Sequence, residues 1–415
     1  MDLLLQSSTV KLQSSISITG SKSETNRLLL IQALYPNLIL ENTSNSDDSE
    51  VMLKALASTT NNVIDVHHAG TAMRFLTAYF AIQEGKEVVI TGSSRMKERP
   101  IAILVNALCQ LGAEITYEAN EGYPPIRIKG KKLTQNKVSL AANVSSQYIS
   151  ALLLIAPKLE NGLELTLEGE ITSVPYIKMT LGLLNEIGVE ASFVENKIRI
   201  EPLVTLSAAE GPYPLSLIIE SDWSSASYFY SIVALSEIGT EIKLSSYIKD
   251  SFQGDSVLAE IYKEFGVETI FLNNQITLKR TVNHQPSTTN FELNNSPDIA
   301  QTIAVTCFGL GIACHLTGLH TLKIKETDRL LALKNELEKL GASVSVSNDS
   351  LTLEPSGIIN PNIRIKTYQD HRMAMSFAPL ALKTNIIIEE SEVVSKSYPS
   401  FWKDLKSIGF LMEEI

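Results

Sequence analysis

Six short polar stretches in this chain each lead into an apolar run, and each carries side chains able to hold or move charge. They are Lys22-Ser23-Glu24-Thr25-Asn26-Arg27, Gly70-Thr71-Ala72-Met73-Arg74, Ser145-Ser146-Gln147-Tyr148, Asp222-Trp223-Ser224-Ser225-Ala226, Pro297-Asp298-Ile299-Ala300 and Asp370-His371-Arg372-Met373. Three further clusters lie elsewhere: Arg95-Met96-Lys97-Glu98-Arg99-Pro100, Lys325-Glu326-Thr327-Asp328-Arg329, and Lys396 flanked by Ser395 and Ser397. A helix N-terminus gathers unpaired N–H groups and a partial positive charge, so it is a ready anion site. Converging openings of this kind would line a gap with several cations and few carboxylates. That suits substrates carrying two phosphates and two carboxylates between them, held by charge-assisted hydrogen bonds of about 1.5–3 kcal/mol each.

Each residue also has an ordinary reading. Lys22 and Lys396 read singly as solvated lysines, and Arg27 and Arg74 as surface arginines. Ser23, Ser145 and Ser146 are adequate N-caps, worth about 1 kcal/mol each. Glu326 and Asp328 at a helix start favour its dipole. Arg329 can pair with a neighbouring carboxylate, and Asp298 after Pro297 is a common cap. The pair His67-His68 lacks the further His that a metal site needs, and no metal is expected. Site by site the ordinary reading wins; six similar openings on one repeat shift the balance.

The elements that must position these residues show themselves as a repeat. A helical stretch, an apolar residue, a Gly and a strand-like run recur around Gly112, Gly188, Gly266, Gly341 and Gly409, at steps of 76, 78, 75 and 68 residues. Each Gly suits the left-handed position after a helix, and runs such as Ala342-Ser343-Val344-Ser345-Val346 alternate as strands do. With the six openings this makes six units of two helices and several short strands, an α/β class. The helix that follows an opening is apolar nearly all round, as in 149–156, 299–311 and 373–382, and so must be buried on every side. The second helix is amphipathic: Ile101, Leu104, Val105, Leu108 and Leu111 form one stripe, with Pro100 placed at the first turn. Buried helices with strands outside would be an inverted arrangement.

Composition bounds the rest. At 415 residues, two or three domains are expected, and 44% hydrophobic with 20% charged residues fits a large globular core. The charge of −11 argues against a nucleic-acid or membrane partner. Cys109, Cys307 and Cys314 are too few and too widely spaced for a disulfide framework, and read as buried thiols. The start, Met1-Asp2-Leu3-Leu4-Leu5-Gln6, lacks the basic region of a signal peptide, and no apolar run is long enough to span a bilayer. A cytoplasmic address follows as the expectation.

The ordered openings resemble those of the enolpyruvyl transferases, and among them the shikimate-pathway branch. Gly20 to Arg27 looks like the first substrate loop of that family, Ala69 to Arg74 its signature segment, and Arg95 to Pro100 the next. Ser145-Ser146-Gln147, Ser173-Val174-Pro175-Tyr176, Ser221-Asp222, Pro297-Asp298, Lys325 to Leu330 and Asp370 to Ala374 follow in the family's order, so the likeness runs from about residue 20 to about 400. It implies two similar domains of three βαβαββ-like repeats each, helices inside and sheets outside. One would hold 21–220 and the other 221–415 joined by 1–20, with the active site in the interdomain cleft. It further implies transfer of the enolpyruvyl group of phosphoenolpyruvate to the 5-hydroxyl of shikimate-3-phosphate, with no cofactor, by a monomer. By resemblance, Lys22, Ser23, Arg27, Ser145, Ser146, Gln147, Ser173, Asp298, Thr321 and Lys325 would hold shikimate-3-phosphate. Lys22, Gly70, Arg95, Gln147, Arg329, Arg372 and Lys396 would hold phosphoenolpyruvate. Asp298 would accept the proton of the attacking hydroxyl, Glu326 would protonate the methylene carbon, and Lys22 would help expel phosphate.

Three positions depart from the family pattern: His68 stands for Asn, Thr321 for Asn, and Phe75 for the Pro common after the signature Arg. Two rival readings remain. A cell-wall transferase acting on a UDP-amino sugar shares fold and reaction, but the reactive Cys usual in its loop has no counterpart in Thr91-Gly92-Ser93-Ser94-Arg95, and its Lys-Asn start is Lys22-Ser23 here. A sensor of phosphorylated metabolites would use the same anion sites without needing Asp298 and Glu326.

Overall fold

A computed structural model describes residues 1–415 apart from 59–61, 142–144, 170, 172–173, 204–214 and 283–285. Two compact units divide the chain: Met1–Thr19 with Glu220–Ile415, and Gly20–Ile219.

The repeat seen in the sequence is a repeat of sheets. Five four-stranded sheets and one two-stranded sheet are present among the described residues. Each four-stranded sheet begins with a parallel pair and continues with two antiparallel pairings. In one, Val63–Asp65 runs parallel to Glu87–Thr91, which pairs antiparallel with Ile126–Lys129 and that strand with Glu114–Tyr117. The parallel pair forces a crossover, and the crossover is the apolar helix Gly70–Ala81, in which every residue but Thr71 is buried. The helices Ser146–Ile155, Trp223–Leu235 and His371–Phe377 are buried in the same way, save Gln147, Ser224 and Arg372. The strands alternate, as Lys137–Ala141 does, with one face toward these helices and one toward water. Helices inside and strands outside is therefore the observed arrangement.

The post-helix glycines behave as the spacing predicts: Gly112, Gly188, Gly266, Gly341 and Gly409 have φ of 105, 87, 73, 104 and 122°. The stripe Ile101, Leu104, Val105, Leu108 and Leu111 is buried. Its helix starts later than expected: Ile101 is the N-cap of Ala102–Gln110, leaving Pro100 ahead of the first turn, where its carbonyl accepts from Tyr148 and Arg74. Cys307 and Cys314 are buried, but Cys109 is exposed, because it falls on the wet side of that same helix.

The first residues complete the unit that ends the chain. Leu3–Leu5 lies between Ile386–Ile388 and Met412–Glu414, antiparallel to both, and Gln13–Ile16 runs parallel to Glu241–Ser245.

Candidate active site

In the unit made of 1–19 and 220–415, Arg329 is the hub of the charged residues. It begins the helix Arg329–Lys339, capped by Asp328, whose carboxylate accepts from Leu331 N at 3.1 Å. The guanidinium is only 3% exposed, and each nitrogen faces a carboxylate. Nε donates to Asp370 Oδ2 at 2.6 Å, Nη1 to Asp298 Oδ1 at 2.8 Å and Nη2 to Glu326 Oε2 at 2.7 Å. Burial works against its charge, yet Asp370, Glu326 and Asp298 outweigh burial and hold its pKa above the usual arginine value.

Asp298 is shared further. Lys325 Nζ lies 3.4 Å from its Oδ1 and Arg372 Nη2 3.6 Å from its Oδ2, while Arg372 Nη1 donates to its carbonyl at 3.1 Å. Asp370 also caps its own helix through Arg372 N at 2.9 Å. Next to it, the Gln369 carbonyl accepts from Lys396 Nζ at 2.8 Å. On the other side, Arg372 Nη2 donates to Ser224 Oγ at 3.2 Å, and that hydroxyl donates to Asp255. Burial, reinforced by the negative charge of Asp298 and opposed by Arg372, pushes Asp255 up to about 6. Thr321 lies in the turn His320–Ile324, its hydroxyl buried with no hydrogen-bond partner among the described residues.

Asp298, Glu326, Asp370 and Asp255 stand among Lys325, Arg329 and Arg372. Three of these carboxylates, Asp298, Glu326 and Asp370, compensate the buried Arg329 guanidinium.

In the unit 20–219 the openings are built differently. Lys22 is the first residue of the helix Lys22–Leu34, its Nζ 3.8 Å from Asp48 Oδ2. Ser21, not Ser23, is the N-cap: its Oγ accepts from Glu24 N at 3.5 Å, which shifts Ser23 into the first turn. The Ser23 carbonyl accepts from Arg27 Nη1 at 2.7 Å. Arg27 is no surface arginine. It is buried, with Nε on Thr180 Oγ1 at 2.8 Å, Nη2 on Ser150 Oγ at 3.0 Å, and its guanidinium carbon 5.4 Å from the ring centre of Phe75. Burial lowers its pKa to about 10, against the pull of Tyr176 and Glu24. The departure at Phe75 thus supplies an aromatic face to Arg27. Arg74 is buried too, donating to the carbonyls of Gly70 at 3.1 Å and Pro100 at 3.2 Å.

Ser145 caps the helix Ser146–Ile155, accepting from Gln147 N at 3.4 Å. Gln147 Nε2 donates to Thr71 Oγ1 at 3.1 Å, so two openings touch. Gly70 begins the neighbouring helix where a Cβ would come 2.6 Å from Arg99 Nη1. Arg95 is 69% exposed and pairs with Glu98 at 3.0 Å. Ser173 lies outside the described residues.

Of the candidate residues, Asp298, Lys325, Glu326, Arg329 and Arg372 form one bonded group, with Lys396 tied to the backbone beside Asp370. Gly70 and Gln147 share a second locality through Thr71. Asp370 and Asp255 were not singled out by the sequence. Asp370 had a signal, standing as the first residue of an opening; Asp255, in Gln253-Gly254-Asp255, had none.

A family model for EPSP synthase (3-phosphoshikimate 1-carboxyvinyltransferase) matches residues 55–405. The chain belongs to the EPSP synthase family. A relative from Bacteroides fragilis (strain YCH46), named 3-phosphoshikimate 1-carboxyvinyltransferase, is 47% identical over 412 residues, covering 98% of each chain. One of the same name from Shewanella pealeana is 35% identical over 426 residues, covering 96% of this chain and 97% of its own. The structure of EPSP synthase from Acinetobacter baumannii aligns over 100% of both chains with a TM-score of 0.80 at 19% identity, a likeness of fold. The expected two-domain enolpyruvyl transferase architecture is thus the fold of this EPSP synthase family member. Among the described residues, no helix is long and apolar enough to cross a membrane.

Proposed function

We propose that this chain transfers the enolpyruvyl group of phosphoenolpyruvate to the 5-hydroxyl of shikimate-3-phosphate, releasing phosphate, as a cytoplasmic monomer in aromatic amino acid biosynthesis. Residues 21–220 serve as one domain and 221–415 with 1–20 as the other. The observation that carries the reading is the bonding of Asp298 and Glu326 to one buried arginine, on a chain whose family model and relatives carry the name of this activity.

The chemistry assigns their roles. The methylene of an enol phosphate is protonated before its neighbouring carbon accepts a nucleophile. Glu326, the more exposed of the two acids, gives that proton. The 5-hydroxyl oxygen bonds to the carbon so activated, and its proton passes to Asp298. The resulting tetrahedral adduct holds phosphate, carboxylate and methyl on one carbon. A methyl proton then returns to Glu326 as the carbon–oxygen bond to phosphate breaks, phosphate leaves with the proton held by Asp298, and the double bond is restored. Positioned acid and base groups each contribute about 10²–10⁴-fold. Lys22, Arg95, Arg329 and Lys396 stabilise the departing phosphate, and Arg372, Gly70 and Gln147 hold the same substrate. Shikimate-3-phosphate is held by Lys22, Ser23, Arg27, Ser145, Ser146, Gln147, Ser173, Asp298, Thr321 and Lys325. Arg27 also orders Ser150 and Thr180, to whose hydroxyls it donates.

Release of inorganic phosphate tests the reading. Purified protein with phosphoenolpyruvate is mixed with shikimate-3-phosphate or with a UDP-amino sugar. Release with the first acceptor alone is expected. Release with the second alone makes the protein the cell-wall transferase, and release with neither makes it a sensor.

A further inference from the structure

The helix Arg329–Lys339 carries a buried acid that the reaction does not use. Glu336 is fully buried, two turns beyond Arg329 and so on the same helix face. Its Oε1 accepts from Tyr368 Oη at 2.7 Å, and its Oε2 from Lys366 N at 3.1 Å and Lys339 Nζ at 2.6 Å. Lys339 Nζ in turn donates to the Arg364 carbonyl at 3.3 Å. The segment so gripped is the approach to Asp370.

That approach turns sharply. Tyr368 and Gln369 are consecutive non-glycine residues with φ of 54 and 56°, a backbone state that a Cβ disfavours and that persists only when the surroundings over-determine it. The turn has a product at each end: Asp370 comes to Arg329, and the Gln369 carbonyl comes to Lys396. One helix face therefore holds the segment 366–370 at two points, Arg329 at its end and Glu336 at its start. Burying a carboxylate there is costly unless its bonds are filled, and all are filled by the segment or by Lys339.

We propose that Glu336 is a positioning residue, holding the bend 366–370 so that Arg329, Lys396 and, through the Asp370 cap, Arg372 stand in register for the phosphoenolpyruvate anion. This rests on the function proposed above. Shikimate-3-phosphate, whose assigned contacts lie mostly on residues 22–173, depends on the bend much less.

The test combines steady-state kinetics, varying each substrate in turn, with amide hydrogen exchange and thermal unfolding of Glu336→Ala, Glu336→Gln and Tyr368→Phe. Glu336→Ala should raise KM for phosphoenolpyruvate about tenfold while KM for shikimate-3-phosphate stays within about twofold. Glu336→Gln, which keeps the shape and an acceptor, should recover part of the loss. Tyr368→Phe, which removes one bond and no volume beyond a hydroxyl, should give a smaller rise of the same kind and serves if Glu336→Ala does not fold. Exchange at 366–370 should quicken in each variant more than elsewhere in the chain. Equal rises in both KM values, or a lower Tm with both KM values unchanged, overturn the proposal. Unaltered exchange at 366–370 overturns it whatever the activity. A wild-type chain inactive on both substrates instead defeats the functional reading, and exchange alone then judges the clamp.

Discussion

In the unit that ends the chain, Arg329 gives each nitrogen to a carboxylate and is 3% exposed; in the unit 20–219, Arg95 pairs with Glu98, the residue that caps its short helix Ser94–Lys97, and is 69% exposed. Lys22 falls between, 3.8 Å from Asp48 and partly covered. One set of cations is locked by acids from three separate elements, the other is left with rotamer freedom. A locked cation presents fixed geometry at the moment of binding and loses little entropy. A loose one must be ordered by its ligand, at a cost of up to about 2 kcal/mol for a long side chain. The first arrangement suits positioning and transition-state charge, the second capture.

Breaking the locked set should have the largest effect. Arg329→Ala leaves Asp298, Glu326 and Asp370 facing one another, and should cost about 3–5 kcal/mol in denaturant unfolding along with nearly all turnover. An unfolding free energy close to wild type would mean that the network is not locked at all. Next in size, Glu326→Gln and Asp298→Ala should each lower kcat by about 10²–10⁴-fold with substrate affinities far less changed. Near-normal kcat in both removes their assigned roles.

Asp255 sharpens the comparison through pH. Its folded pKa of about 6 lies above the ordinary carboxylate value, so the folded state binds its proton more tightly than the unfolded one. That stabilisation is fully present below the unfolded value near 3.8 and lost as pH rises through about 6. Asp255→Asn, which keeps an acceptor for Ser224, should gain stability over wild type as pH climbs from 4 to 7, by at most about 3 kcal/mol. A difference in Tm that is flat with pH would contradict this. The smallest effect belongs to the loose set: Arg95→Ala should leave unfolding within about 0.5 kcal/mol of wild type while raising KM for phosphoenolpyruvate. A marked fall in Tm would erase the contrast between the units.

The fold was largely legible because its signals are local. Apolar runs without a wet face announced buried helices, and glycines at a steady spacing announced the chain's left-handed exits. The openings, too, were legible in type. What escaped was every feature set by partners far along the chain. Arg27 looks exposed until Ser150 and Thr180 arrive from other repeats to receive its N–H groups. Asp370 looks like a plain cap until it meets Arg329, 41 residues away. Cys109 was misplaced because an apolar neighbourhood in sequence is not the apolar side of a helix. Ser23 lost its capping role to Ser21 by two positions, a shift that composition does not register.

The strand Leu3–Leu5 has consequences for how such a chain is made. It emerges from the ribosome before any of the strands that flank it, and it must wait, apolar and unpaired, until 386–388 and 412–414 have been translated. Contacts so distant along the chain are slow to form. The unit holding Arg329 therefore cannot complete this sheet until residue 414 has been made, long after 20–219 has been translated.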